Sequence, residues 1–269
     1  IFYNEKIESF DFNKLQKIDV VVHLAAQPSV PISIKNFGDS SSSNILGSIK
    51  VIDYCRANLI PLIYASSSAV YGNLEIGDDQ NSEVDLLSPY ATDKYAMELY
   101  AKTANKLYQL SSIGLRFFNV YGPRQDPSSP YSGVISIFLD KLLHASNIKI
   151  NGGFQTRDFI YVKDVVYAIF NSINIAKKNS LCEQVNVLTG NTISVDKLAN
   201  MLIKEIGVKA DKEYHNLSEG DPQKSEGTTT KMNNLLGLKL SDMVPIKDGL
   251  SKTINFMNIN VKNNERSEI

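Results

Sequence analysis

Tyr90 precedes Lys94 by four positions in the stretch SPYATDKYAMELYAK, residues 88–102. On a helix, residues at that spacing share a face, so an ammonium can stand beside a phenol. A free tyrosine titrates near about 10 and is a poor base at neutrality, whereas a neighbouring positive charge favours the phenolate. Pro89 sets Tyr90 in the first turn of such a helix, where the macrodipole also favours negative charge. The spacing taken alone is equally that of a solvated pair on a surface helix. Ser66, Ser67 and Ser68, some twenty residues upstream at the end of an apolar run, sharpen it into a constellation. Serine is a modest strand former, and each hydroxyl needs a partner where it is buried.

Three continuous apolar runs must position these groups: DVVVHLAA (19–26), PLIYASSS (61–68) and SIGLRFFNV (112–120). Their length and lack of alternation predict strands buried on both faces. Segments of helical spacing, 44–58 and 90–109, lie between them. Strand and helix in alternation predict an α/β fold, a doubly wound parallel sheet with helices on both faces. Ligands of such sheets bind outside the carboxyl ends of the strands, so HLAAQ, ASSSAVYG and RFFNVYG should open onto one crevice. The small pair Ala25 and Ala26 admits either a flat ligand against the backbone or a closely packed helix. A Pro, Ser and Gly cluster at 120–133 marks a transition to a less regular, smaller α/β part. Beyond it come a short strand and helix (157–173), a strand (184–188), and a helix opened by Ser194 and stopped by Gly207. Asn, Lys, Glu and Ser dominate 258–269, which predicts a disordered tail.

Bulk properties exclude several partners. With 28 basic and 29 acidic residues among 269, the net charge of −1 gives no electrostatic basis for binding nucleic acid or an anionic membrane. Cys55 and Cys182 are the two cysteines, which suits neither a disulfide framework nor a zinc site. No apolar run is long enough to span a bilayer and no secretion leader is visible, so a cytoplasmic setting is expected. The chain opens on Ile1 and enters a buried strand within some twenty residues, which suggests that a segment upstream is missing.

The stretches DVVVHLAAQPSV, NILGS, YASSSAVYG, SPYATDKYAMELYA, LRFFNVYGPRQDPSSPYSGVISIF and RDFIYVKDVV, in this order, resemble the extended short-chain dehydrogenase/reductase enzymes that modify nucleotide sugars. The likeness runs from about Asp19 to Gly249 and is greatest to UDP-sugar 4-epimerases, particularly those acting on UDP-N-acetylglucosamine (UDP-GlcNAc). It implies a Rossmann-like dinucleotide domain over 1–119, also receiving 157–190, and a nucleotide-sugar-binding portion over 120–156 and 191–257. It implies NAD as cofactor, with Leu24, Ala25, Ala26, Asn44 and Phe118 along it and Lys94 on the nicotinamide ribose, lowering the Tyr90 pKa. Tyr90 would then take the proton of the sugar 4-hydroxyl as hydride leaves C4, with Ser67 hydrogen-bonding that oxygen. The 4-keto sugar turns over and receives hydride on its other face, which inverts C4 without net oxidation. The likeness further implies substrate contacts from Ser67, Ser68, Asn119, Val134, Arg157, Asp221 and Ser225, with Arg157 clamping phosphate oxygens through its planar fork. A surface ion pair with Asp158 is the other reading of that arginine. Ser225 falls where bulky side chains confine the pocket to simple hexoses, so a serine leaves room for an N-acetyl group. Family members often form homodimers through two helices, here 44–58 and 90–109.

Ala69 discriminates between reaction types. Dehydratases of the family usually carry a carboxylate two residues after the position of Ser67, and an alanine cannot transfer a proton. Other positions depart from the pattern. Ser218 replaces a usual arginine, so that one phosphate contact is lost or is supplied by Lys224, and Gly227 and Thr228 replace a usual Ala-Asp pair. The glycine-rich turn that seats a dinucleotide pyrophosphate, and the acidic residue about 20 positions later, are not among these residues. A βαβ unit of roughly 30 residues or more would carry them. A polypeptide that truly began at Ile1 is expected to bind NAD weakly and to lack epimerase activity. A UDP-glucose 4-epimerase, another NAD-dependent sugar-nucleotide oxidoreductase, and a truncated noncatalytic relative are the alternatives.

Overall fold

The computed structural model describes residues 1–129 and 131–267, with side chains as far as 258. In chain order its elements are β1 (Val21–His23), α1 (Val30–Lys35), α2 (Phe37–Ser41), α3 (Gly47–Asn58), β2 (Leu62–Ser67), α4 (Pro89–Tyr108), β3 (Ser112–Phe117) and β4 (Asn119–Tyr121). There follow α5 (Val134–Leu143), β5 (Ile148–Asn151), β6 (Thr156–Tyr161), α6 (Val162–Ala176), β7 (Cys182–Val187), β8 (Thr192–Ser194), α7 (Val195–Ile206), β9 (Lys212–His215), α8 (Thr230–Leu236) and α9 (Ile246–Ser267). Strands β1, β2, β3 and β7 pair in that order as a parallel sheet. Leu62 and Tyr64 of β2 pack under α3 and α4 with Val51, Cys55 and Met97. Ile63, between them in sequence, faces the opposite side, with Val165 and Ala168 of α6 and Met232 of α8. That alternation explains the unbroken apolar runs: both faces of β2 are covered, and the fold is the doubly wound one expected.

A separate cluster gathers Phe138 and Leu142 of α5, Ile148 and Ile150 of β5, Leu198 and Leu202 of α7, and Leu250 and Ile254 of α9. Helix α7 starts and stops as its sequence predicts, with the Ser194 hydroxyl accepting from the Lys197 amide and Gly207 at φ 78°. Three expectations change. The run 112–120 is not one strand: β3 ends at Phe117, and Asn119–Tyr121 pairs instead with β6 in another sheet. An apolar run hides such a break because hydrophobicity does not say which strand lies alongside. The helix expected from 44 begins at Gly47, after a π turn over Ser42–Leu46. Helix α9 enters the segment 258–269 for which composition predicts disorder; the side chains from 259 and the residues 268–269 of that segment lie outside the described residues.

Candidate active site

A cavity of about 580 Å³ opens at the carboxyl ends of β1, β2 and β3. Ser88 caps α4, its hydroxyl accepting from the Ala91 amide at 3.2 Å, and Pro89 occupies the first helical position. The cap places Tyr90 in the first turn, where its own amide donates to the Ser33 hydroxyl at 3.2 Å. Lys94, one turn on, stands with its ammonium 5.7 Å from the centre of the Tyr90 ring and donates to the Ala65 carbonyl at 2.8 Å. Both are buried and both line the cavity with Ser67 and Ser68, so the solvated surface pair is ruled out. Ser67 also begins the short helical turn Ser68–Tyr71, its hydroxyl accepting from the Ala69 amide at 3.1 Å.

Burial pushes the Tyr90 phenol above its ordinary range, partly offset by a hydrogen bond with Ser67. This differs from the expectation that Lys94 lowers it. Desolvation penalises the phenolate, while the ammonium is turned to the Ala65 carbonyl and is itself lowered to about 8 by burial. The geometry therefore supplies a protonated phenol, a hydroxyl and a neighbouring amine that sheds its proton more readily than usual.

Leu24, Ala26, Phe118, Asn119, Val134, Arg157, Asp221 and Ser225 all line the same cavity. Ala25 and Asn44 do not. Ala25 is exposed, which removes helix packing as the reason for its size. Asn44 is a bridge: its carbonyl accepts from the Gln27 amide at 2.8 Å and its amide donates to Asp93 at 3.0 Å, tying the loop after β1 to α4. Arg157 is buried and ion-paired with Asp221 at 2.5 Å. Its sequence neighbour Asp158 is committed elsewhere, accepting from the Thr189 amide and hydroxyl at 2.9 Å each and from the Asn191 amide at 3.0 Å. The alternative Arg157–Asp158 surface pair therefore does not form. Burial pushes the Asp158 carboxyl up to about 6 despite those donors. Val134 begins α5, and Asn119 donates to the Asp158 carbonyl at 3.0 Å. Ser218 lies apart from the cavity, hydroxyl to the Asn151 amide, whereas Lys224 lines it.

Sequence reasoning missed the buried chain beneath these groups. Ser66 donates to Glu98 at 2.5 Å; Arg116 holds both oxygens of that carboxylate, at 2.9 and 2.6 Å. Arg116 also donates to the Tyr71 hydroxyl at 2.8 Å, which in turn donates to Asn186 at 2.7 Å. A signal was present, since Glu98 follows Lys94 by four residues as Lys94 follows Tyr90, placing all three on one helical face.

Comparison with known proteins adds the family. Residues 5–187 match the NAD dependent epimerase/dehydratase family. A Methanocaldococcus jannaschii protein provisionally named a UDP-glucose 4-epimerase is 36% identical over 273 residues, covering 99% of this chain and 85% of that protein. The UDP-N-acetylglucosamine 4-epimerase of Methanobrevibacter ruminantium, solved with UDP-N-acetylmuramic acid, superposes with TM-score 0.86 at 31% identity over 96% of this chain and 83% of that one. The UDP-glucuronic acid 4-epimerase of Bacillus cereus, solved with UDP-glucuronic acid and NAD, gives TM-score 0.87 at 29% identity, over 95% and 80% respectively. The residues present fit the nicotinamide end of that cofactor. Lys94 offers a buried ammonium, and Leu24 and Ala26 offer apolar surface, at neighbouring strand ends on one cavity. With the doubly wound sheet, the Ser67, Tyr90 and Lys94 cluster at its carboxyl edge and a family match over residues 5–187, the chain belongs to the NAD-dependent epimerase/dehydratase family.

Proposed function

We propose that this chain serves a nucleotide-sugar 4-epimerase that interconverts UDP-GlcNAc and its 4-epimer UDP-GalNAc. The observation that carries the reading is one cavity with Ser67, Tyr90 and Lys94 at one wall and the buried Arg157 at another. Tyr90 exchanges the proton of the 4-hydroxyl, Ser67 hydrogen-bonds the same oxygen, and Lys94 supports both while holding the ribose. NAD, when bound, supplies the acceptor and donor of the C4 hydride. Leu24, Ala26 and Phe118 flank it, and Asn44 fixes the loop after β1 that carries the first two. Arg157 exchanges Asp221 for diphosphate oxygens, Asn119 and Val134 contact the nucleotide side, and Ser68 and Ser225 border the sugar. Ala69, which also lines the cavity, carries no proton and so supports epimerisation over dehydration.

A UDP-glucose 4-epimerase is the second reading, favoured by the Methanocaldococcus jannaschii relative. Incubation of the full-length protein with UDP-GlcNAc, followed by chromatography, is expected to give UDP-GalNAc; interconversion of UDP-glucose and UDP-galactose alone would sink the N-acetyl assignment.

A homodimer through residues 44–58 and 90–109 belongs to the same reading. Leu99, Tyr100, Leu107 and Tyr108 are exposed on α4, and Leu46 is exposed just before α3. Large apolar side chains left exposed along α4 suit a second copy better than water. Sedimentation is expected to report twice the chain mass, and a monomer at micromolar concentration contradicts the assignment. Among the described residues no helix is long and apolar enough to cross a membrane.

A further inference from the structure

The segment that carries Ser225 and Glu226 past the cavity is clamped immediately afterwards. Gly227 pairs with Gly77 as an isolated parallel bridge; the Gly77 amide donates to the Glu226 carbonyl at 2.8 Å and the Thr228 amide to the Gly77 carbonyl at 2.9 Å. Asn186, fully buried on β7, donates to the carbonyls of Gly77 at 3.0 Å and Thr228 at 3.2 Å. The Thr228 hydroxyl donates to the carboxylate of Asp78 at 3.1 Å. A β-carbon at residue 227 would stand 2.6 Å from the tip of the Phe118 ring, 3.0 Å from the Gly77 carbonyl and 3.2 Å from the Asn186 amide. Two of those three neighbours are parts of the clamp. The third, the Phe118 ring, has the cavity beside it. It is backed by Val70, Tyr71 and Leu188, and it lines the same cavity as Ser67 and Ser68.

We propose that Gly227 determines sugar specificity: lacking a β-carbon, it lets the Phe118 ring lie back against the clamped segment and leaves the sugar end of the cavity wide enough for a bulky C2 substituent. The inference rests on the nucleotide-sugar reading above. A side chain at this position meets the Phe118 ring tip on one side and the Gly77 carbonyl and Asn186 amide on the other; those two are pinned, so the ring, with the cavity beside it, is the neighbour that moves.

The test measures affinity in the full-length protein with NAD present, by calorimetric titration of UDP, UDP-glucose and UDP-GlcNAc. Gly227→Ala is expected to weaken UDP-GlcNAc about tenfold more than UDP-glucose, the scale on which a pocket rejects one or two extra heavy atoms. UDP itself should bind as before. Adding Phe118→Leu to Gly227→Ala removes the ring tip that the new methyl meets and is expected to restore the wild-type ratio of the two sugar nucleotides. Phe118→Leu alone, which houses no new atom, should raise relative affinity for UDP-GlcNAc, and it decides the matter should Gly227→Ala fail to fold. Equal weakening of all three ligands by Gly227→Ala, or a UDP-GlcNAc to UDP-glucose ratio that Phe118→Leu leaves unmoved, overturns the assignment. Wild-type protein that binds UDP but neither sugar nucleotide removes the nucleotide-sugar reading itself, and the inference with it.

Discussion

Tyr90→Phe is expected to remove turnover while leaving the fold and the affinity for nucleotide sugar almost unchanged. The substitution deletes one oxygen from a buried side chain and nothing from its packing. The backbone contact of residue 90 with Ser33 is untouched, and Ser67, the hydroxyl that influences the phenol, retains its contact with the Ala69 amide. A general acid and base positioned at the reacting oxygen contributes about 10²–10⁴-fold, so kcat should fall by roughly three orders of magnitude with KM within about twofold of wild type. Burial holds the phenol above its ordinary range, so a proton is present on Tyr90 at neutral pH. It becomes a base when a positive charge near the oxygen, or the reaction itself, favours the phenolate. Steady-state kinetics with both UDP sugars, alongside circular dichroism of the variant, separates the outcomes. Activity within tenfold of wild type in a folded Tyr90→Phe protein refutes the assignment of Tyr90 as base.

How much of this was legible in the sequence depended on whether a property was local. Ser88, Pro89 and Tyr90 declare the helix start through residues adjacent in the chain, and the cap formed as expected. Ser194 and Gly207 likewise mark α7 by chemistry that needs no partner element. The break after Phe117 could not be read this way, because it is set by which strand lies alongside, β7 for residues 112–117 and β6 for 119–121. Arg157 shows the same limit at the site. Its nearest carboxylate in sequence is Asp158, but its partner in space is Asp221, some sixty residues away, while Asp158 turns to the loop after β7. Asn44 sits near the expected place yet spends its amide on Gln27 and Asp93. Sequence spacing shows which side chains share a face of one element; the alignment of strands from distant parts of the chain decides which faces meet.

Glu98→Ala is expected to destabilise the protein by about 3–5 kcal/mol, the cost of leaving one member of a buried ion pair without its counter-charge. Glu98 and Arg116 each keep only 4% of their side-chain surface in contact with solvent, and the guanidinium grips both carboxylate oxygens. A guanidinium stays charged at any ordinary pH, so with Glu98 gone Arg116 cannot escape by losing its proton. For a chain of this size each kcal/mol moves the melting temperature by roughly 2–4 °C, which gives an expected fall of roughly 6–20 °C by scanning calorimetry. Replacing both partners, Glu98→Met with Arg116→Met, removes the stranded charge along with the pair and should recover most of that loss. Activity should not return with stability. The same carboxylate receives the Ser66 hydroxyl, and Arg116 orients the Tyr71 hydroxyl, so an apolar pair refills the volume without fixing Ser67 against Tyr90. A Glu98→Ala protein that melts within about 2 °C of wild type contradicts the pair's role in stability. A double variant that regains kcat along with its melting temperature would show that the network is packing alone.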